Sequence, residues 1–138
     1  MLETLIANAW NSLPVFLSHF GTALGMLVIG VMVYIRVTPV HETELIRQGN
    51  VAAAIAFGAA VLGLAIPLAF CLKASVNVLD IAVWGVVALV LQIGAYLVTA
   101  FVFRNLEDKI RSGDVAAAIA LASTNLATAA LNAAAISG

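Results

Sequence analysis

Asn125, Thr128 and Asn132 follow one another at steps of three and four residues, so a helix through them stacks their polar groups on one face. Gln92 stands in another long apolar run. Neutral amides and hydroxyls in a hydrocarbon environment serve one of two ends. They tie neighbouring helices together by hydrogen bonds, or they line a wet path for an ion or small solute. On the second reading Thr128, Asn132 and His19 line a vestibule opening outward, with Gln92 and Asn125 at its constriction. His19 and Asp80 are the candidates that ionise, although Asp80 also suits a solvated interfacial position. The residues alone leave both readings open.

Catalytic chemistry finds no comparable set. The sequence has no paired carboxylates at membrane depth, no metal-ligand spacing and no nucleophile with an orienting base. The expectation is a protein that is not an enzyme and takes no cofactor or metal. Cys71 is the single cysteine, which excludes an intramolecular disulfide and a thiolate cluster; packing is its expected role. A net charge of −1 offers no basic face to a nucleic acid.

The elements that must position these side chains are membrane spans. The chain of 138 residues is 64% hydrophobic and 9% charged, with a mean hydropathy of +1.13. Such values exclude an ordinary soluble domain. Four apolar stretches, at residues 15–37, 51–72, 81–103 and 115–136, each reach the roughly 20 residues needed to cross a bilayer. The remainder is a short tail and three short connections, with no room expected for a soluble catalytic domain. Leu2, Leu5, Ile6, Ala9, Trp10 and Leu13 recur at helical spacing, which predicts a short interfacial helix anchored by Trp10. Its lack of basic residues and the presence of Glu3 argue against a cleavable signal peptide. Pro14 is then expected to open the first span. Gly21, Gly25 and Gly30 in span one, and Gly58 and Gly63 in span two, predict close helix approaches. Pro67 predicts a bend in span two. Counting from the span centres at about 1.5 Å per residue, Gln92 and Asn125 share a depth near the midplane and form a natural interhelical pair. His19 falls about 10 Å outward of its own span's centre, level with Asn132. Span four is half alanine with five polar residues, so it belongs inside the bundle or at a subunit contact.

One stretch occurs twice. Residues 46–56, Ile-Arg-Gln-Gly-Asn-Val-Ala-Ala-Ala-Ile-Ala, return at 110–120 as Ile-Arg-Ser-Gly-Asp-Val-Ala-Ala-Ala-Ile-Ala, an offset of 64. Gly21 with Gly85, Leu27 with Leu91 and Gly30 with Gly94 keep the same offset. The reading is one transmembrane domain over 1–138, with repeat one at about 15–74 and repeat two at about 79–138. Gly49 and Gly113 let the chain turn sharply, and Asn50 and Asp114 cap the helices that follow. Arg47 and Arg111 stand just outside the membrane, placed to reach lipid phosphates or to pair with Glu44 and Glu107. A helix-entry device accounts for each motif residue; an anion site at the two helix N-termini is the alternative.

Arg36 and Arg47 flank the first connection, Arg104, Lys109 and Arg111 the third, and Lys73 alone the other side. That asymmetry predicts a cytoplasmic first and third connection and two periplasmic termini. Two spans per repeat insert both repeats the same way round, a parallel duplication.

A duplicated two-span unit whose second helices open with Gly49-Asn50 and Gly113-Asp114 before Ala-Ala-Ala-Ile-Ala resembles the YjfL-like family of small bacterial inner-membrane proteins, a family of unknown function. The resemblance implies a multi-pass inner-membrane location and no assigned activity. Relatives tend to be encoded near membrane-stress proteins and peptide- or polyamine-ligating enzymes, an association that transfers no functional residue. The expected protein is all-α, with four transmembrane helices from two parallel repeats, in contact with the lipid bilayer and homo-oligomeric. Its first functional reading is a non-enzymatic module working with membrane-stress partner proteins. The other is a small oligomeric channel or transporter lined by helix four.

Overall fold

The computed structural model describes residues 1–74 and 77–138. Its elements are α1 (Leu2–Val37), α2 (Glu42–Arg47), α3 (Val51–Ala74), α4 (Val78–Val102), α5 (Leu106–Arg111) and α6 (Val115–Ser137). There is no strand among the described residues. α1, α3, α4 and α6 are each long and apolar enough to cross a membrane. A long, short, long order of helices thus occurs on either side of residues 75–76.

The N-terminal segment differs from its expectation. It forms no helix of its own but runs unbroken into the first span, with Pro14 inside α1. Proline there forfeits one hydrogen bond, from its own nitrogen to the carbonyl of Trp10. Leu2–Leu13 is exposed along its whole length, its apolar side chains included. Continuing the helix therefore satisfies more backbone groups than breaking it would.

Packing centres on α3 and α6. Ala52, Ala53, Ala56 and Ala60 of α3 are buried where they meet Ala117, Ala118 and Leu121 of α6. Small side chains let the two backbones approach closely, which is how helices gain attraction in lipid, where apolar burial drives little. α4 packs on α1, α3 and α6, while α1 packs on α4 and α3. Close approach occurs at two glycines. A Cβ on Gly63 would lie 2.4 Å from Gln92 Oε1, and one on Gly85 would lie 2.8 Å from the Met26 methyl. Gly21, Gly25 and Gly58 instead face open space, and Gly30 has ordinary contact distance to Leu64. At Gly21, Gly25 and Gly58, small size therefore permits no close helix approach among the described residues.

α6 is not enclosed. One face is buried, including Asn125, Ala129 and Asn132, while the other stays exposed.

Candidate functional site

The twin motif builds the same local structure twice. Gly49 and Gly113 have φ of +83° and +87°, the left-handed conformation that favours glycine after a helix. In the first copy Gly49 N–H donates to the Ile46 carbonyl and Asn50 N–H to the Leu45 carbonyl, both at 2.9 Å. In the second, Gly113 N–H donates to Ile110 and Asp114 N–H to Lys109, at 3.0 and 2.9 Å. Each short helix therefore ends in a Schellman closure. The next residue starts the following span: Asn50 Oδ1 accepts from Ala53 N–H at 3.0 Å, and Asp114 Oδ1 from Ala117 N–H at 3.2 Å. Asn50 then does more than cap. Its Nδ2 donates to the carbonyls of Ile110 and Arg111 at 2.9 and 3.1 Å, tying α3 to the end of α5.

The two arginines diverge. Arg111 pairs with Glu107, approaches Asp108 at 3.9 Å and donates to the Pro39 carbonyl at 3.3 Å. Arg47 is exposed, and Glu44 receives its hydrogen bond from Gln48, at 3.5 Å. Glu44 is only three residues before Arg47, whereas Glu107 precedes Arg111 by four, the better spacing for a helical ion pair.

Beneath the first connection a file of buried polar groups runs toward mid-membrane. Glu42, at the start of α2, is 1% exposed, and its Oε2 has no hydrogen-bond partner among the described residues. Burial, partly offset by a hydrogen bond from its own backbone N–H, pushes its carboxyl up to about 7. Tyr34 of α1 and Tyr96 of α4 are buried as well, and their rings meet edge to face with centroids 6.3 Å apart. The Tyr34 hydroxyl accepts from Asn125 Nδ2 at 3.3 Å. Gln92 Nε2 donates to the Asn125 backbone carbonyl at 3.0 Å. Gln92 and Asn125 do meet, but as side chain to backbone rather than as two side chains, because the Asn125 amide is turned toward Tyr34. Gln92 Oε1 and Asn125 Oδ1 remain buried without a partner among the described residues.

The other expected residues lie apart from this file. Thr128 is half-buried and bonds back to the Thr124 carbonyl at 2.9 Å; Asn132 is buried. His19 lies with Val15, Phe16, Phe20 and Leu72 along a cleft between α1 and the end of α3, and its Nδ1 is 2.9 Å from the Val15 carbonyl. None of the α6 polar side chains lines that cleft, so His19 does not share a vestibule with Thr128 and Asn132 there. Cys71 is buried, with its Sγ 3.7 Å from the Asp80 carbonyl.

Glu42, Tyr34 and Tyr96 were not among the candidates that residue types and spacing singled out. One signal did exist. The offset of 64 sets Glu42 opposite Leu106, which is buried at 2% exposure. The glutamate thus occupies a position that is core in the other half.

Four apolar helices joined by short connections, with polar side chains turned inward, define a multi-pass membrane protein. The chain belongs to the family described as Domain of Unknown Function DUF350, whose model matches residues 8–136. It is similar to the UPF0719 inner membrane protein YjfL of Escherichia coli K12, at 32% identity over 124 residues, covering 90% of this chain and 94% of that protein. The YjfL protein of Escherichia coli O157:H7 matches to the same extent. No solved structure matches the chain significantly.

Proposed function

We propose that the chain is a non-enzymatic inner-membrane module that works as a homo-oligomer, with both termini periplasmic, alongside partners of the membrane-stress response. The observation carrying this reading is the exposed face of α6. Ala116, Ser123, Ala127, Ala130 and Ala134 are all exposed, with half-buried Ala120 between them. Their steps alternate between four and three residues, a seam that faces one way along a helix. Small residues at such spacing suit helix packing in lipid far better than contact with acyl chains. The inner-membrane assignment follows the name of the Escherichia coli relatives, and the orientation follows the basic residues around the first and third connections.

Mass photometry in nanodiscs tests the assembly. Wild type is expected as a defined oligomer that Ala127→Leu with Ala130→Leu converts to monomer; a monomeric wild type refutes the reading. A pore lined by α6 is the second reading, favoured by the unpartnered Gln92 Oε1 and Asn125 Oδ1 at depth, which a water file would satisfy. Flux in liposomes that is lost in Asn125→Leu and Asn132→Leu would establish the pore over the purely structural role.

A further inference from the structure

Among the described residues, Glu42 alone of the carboxylates is buried, and in the other half its place is taken by Leu106. We propose that Glu42 is a proton-binding site on the face carrying the two short connections, and that proton binding there holds α2 docked against the bundle.

Every element around Glu42 leaves its charge uncompensated. α1 presents Tyr34 and α4 presents Tyr96, phenols that supply no positive charge. α5 brings Glu107 and Arg111, but Arg111 is engaged by Glu107, Asp108 and the Pro39 carbonyl. The first turns of α3 hold no charged residue. Asp114, before α6, uses its carboxylate as a cap. On and beside α2 itself, His41, Glu44 and Arg47 are exposed. No Lys, Arg or His nitrogen among the described residues comes within ion-pairing distance of Glu42. An ionised carboxylate so placed carries a desolvation cost with no partner to repay it, and taking a proton removes that cost. The unpartnered Glu42 Oε2 is an acceptor, suited to a proton and unsuited to an anion. No group of three or more potential metal-binding side chains occurs among the described residues, which sets a proton ahead of a divalent ion.

The sign of the effect follows from the two states. With α2 lifted, Glu42 titrates near its ordinary 4.5; docked, it titrates at about 7. The docked form binds the proton more tightly, so docking is strongest at acid pH. It weakens as pH rises to about 7 and is flat above that.

Hydrogen exchange on the full chain in nanodiscs reads this directly, with both faces exposed to the buffer. Between pH 7.5 and 5.5, the protection factors of α2 amides are expected to rise by roughly tenfold or more. Glu42→Gln, which mimics the protonated form, should be protected at both pH values, while Glu44→Gln keeps the wild-type response. A flat wild-type profile, or a wild-type response retained in Glu42→Gln, overturns the proposal. Should Glu42→Gln fail to fold, infrared spectra of wild type with isotope-labelled glutamate decide. A protonated-carboxyl band with a midpoint near neutral pH supports the site, and titration only in the ordinary carboxylate range removes it.

Discussion

Asn50, in the first copy of the motif, reaches to the Ile110 carbonyl of the second at 2.9 Å. The side chain of the sequence-equivalent Asp114 has no N–H to return the contact to Ile46. The amide at position 50 thus performs two tasks, capping α3 with its oxygen and gripping α5 with its nitrogen. The carboxylate at position 114 performs one. A single Asn-to-Asp difference makes the inter-repeat tie one-sided.

Asn50→Asp should keep the cap, since the two residues cap about equally well. It should lose the tie and set a carboxylate against the Ile110 and Arg111 carbonyls. The expected loss is about 1–3 kcal/mol, seen as a lower thermal midpoint in detergent. Asp114→Asn should change stability by less than about 0.5 kcal/mol, because only the charge at a helix N-terminus is removed. Equal effects at the two positions would show that the tie carries no stability.

Gly63→Ala places a methyl against the Gln92 amide and must swing it away from the Asn125 carbonyl. Interhelical hydrogen bonds of this kind are worth about 0.6–2 kcal/mol, and that is the expected loss. Gly58→Ala, which faces open space, should be neutral or slightly stabilising. In a Gln92→Ala background the Gly63→Ala penalty should largely disappear; a penalty that persists there would place the conflict elsewhere.

Gln48→Cys and Ser112→Cys, each in a Cys71→Ala background, put thiols on the two exposed turns after α2 and α5. Both are expected to react with a membrane-impermeant reagent only from the cytoplasmic side. Labelling of intact cells from outside would reverse the orientation for the whole chain.

The four spans and both helix entries were legible because their determinants are local. Apolar length sets a span, and a glycine followed by Asn or Asp sets a stop and a start. The Gln92–Asn125 meeting was legible from depth alone, but its geometry was not, since Tyr34 competes for the same amide. Glu42 carries no local signal of its burial, because that burial arises where α2 packs against the bundle, on α3. Helical rise predicts one height for His19 and Asn132, but height says nothing of which helices adjoin, and His19 adjoins α3. The N-terminal helix followed the same pattern. Pro14 reads as a boundary in the sequence, yet the turns before it are exposed and gain no burial from breaking the helix.

α1 holds 36 residues, a rod of about 54 Å at the helical rise, set against a hydrocarbon layer of about 30 Å. Its C-terminal end is held at Tyr34, so the excess length collects at the other end, around Trp10. Tilt alone would need roughly 55° to hide it, beyond the usual range for a spanning helix. The result is an overhang of α1, with Leu2, Leu5 and Ile6 exposed at its tip. A bilayer of ordinary thickness cannot absorb that surplus by tilt of α1 alone, so its N-terminal turns need another environment, such as the headgroup layer or a second protein surface.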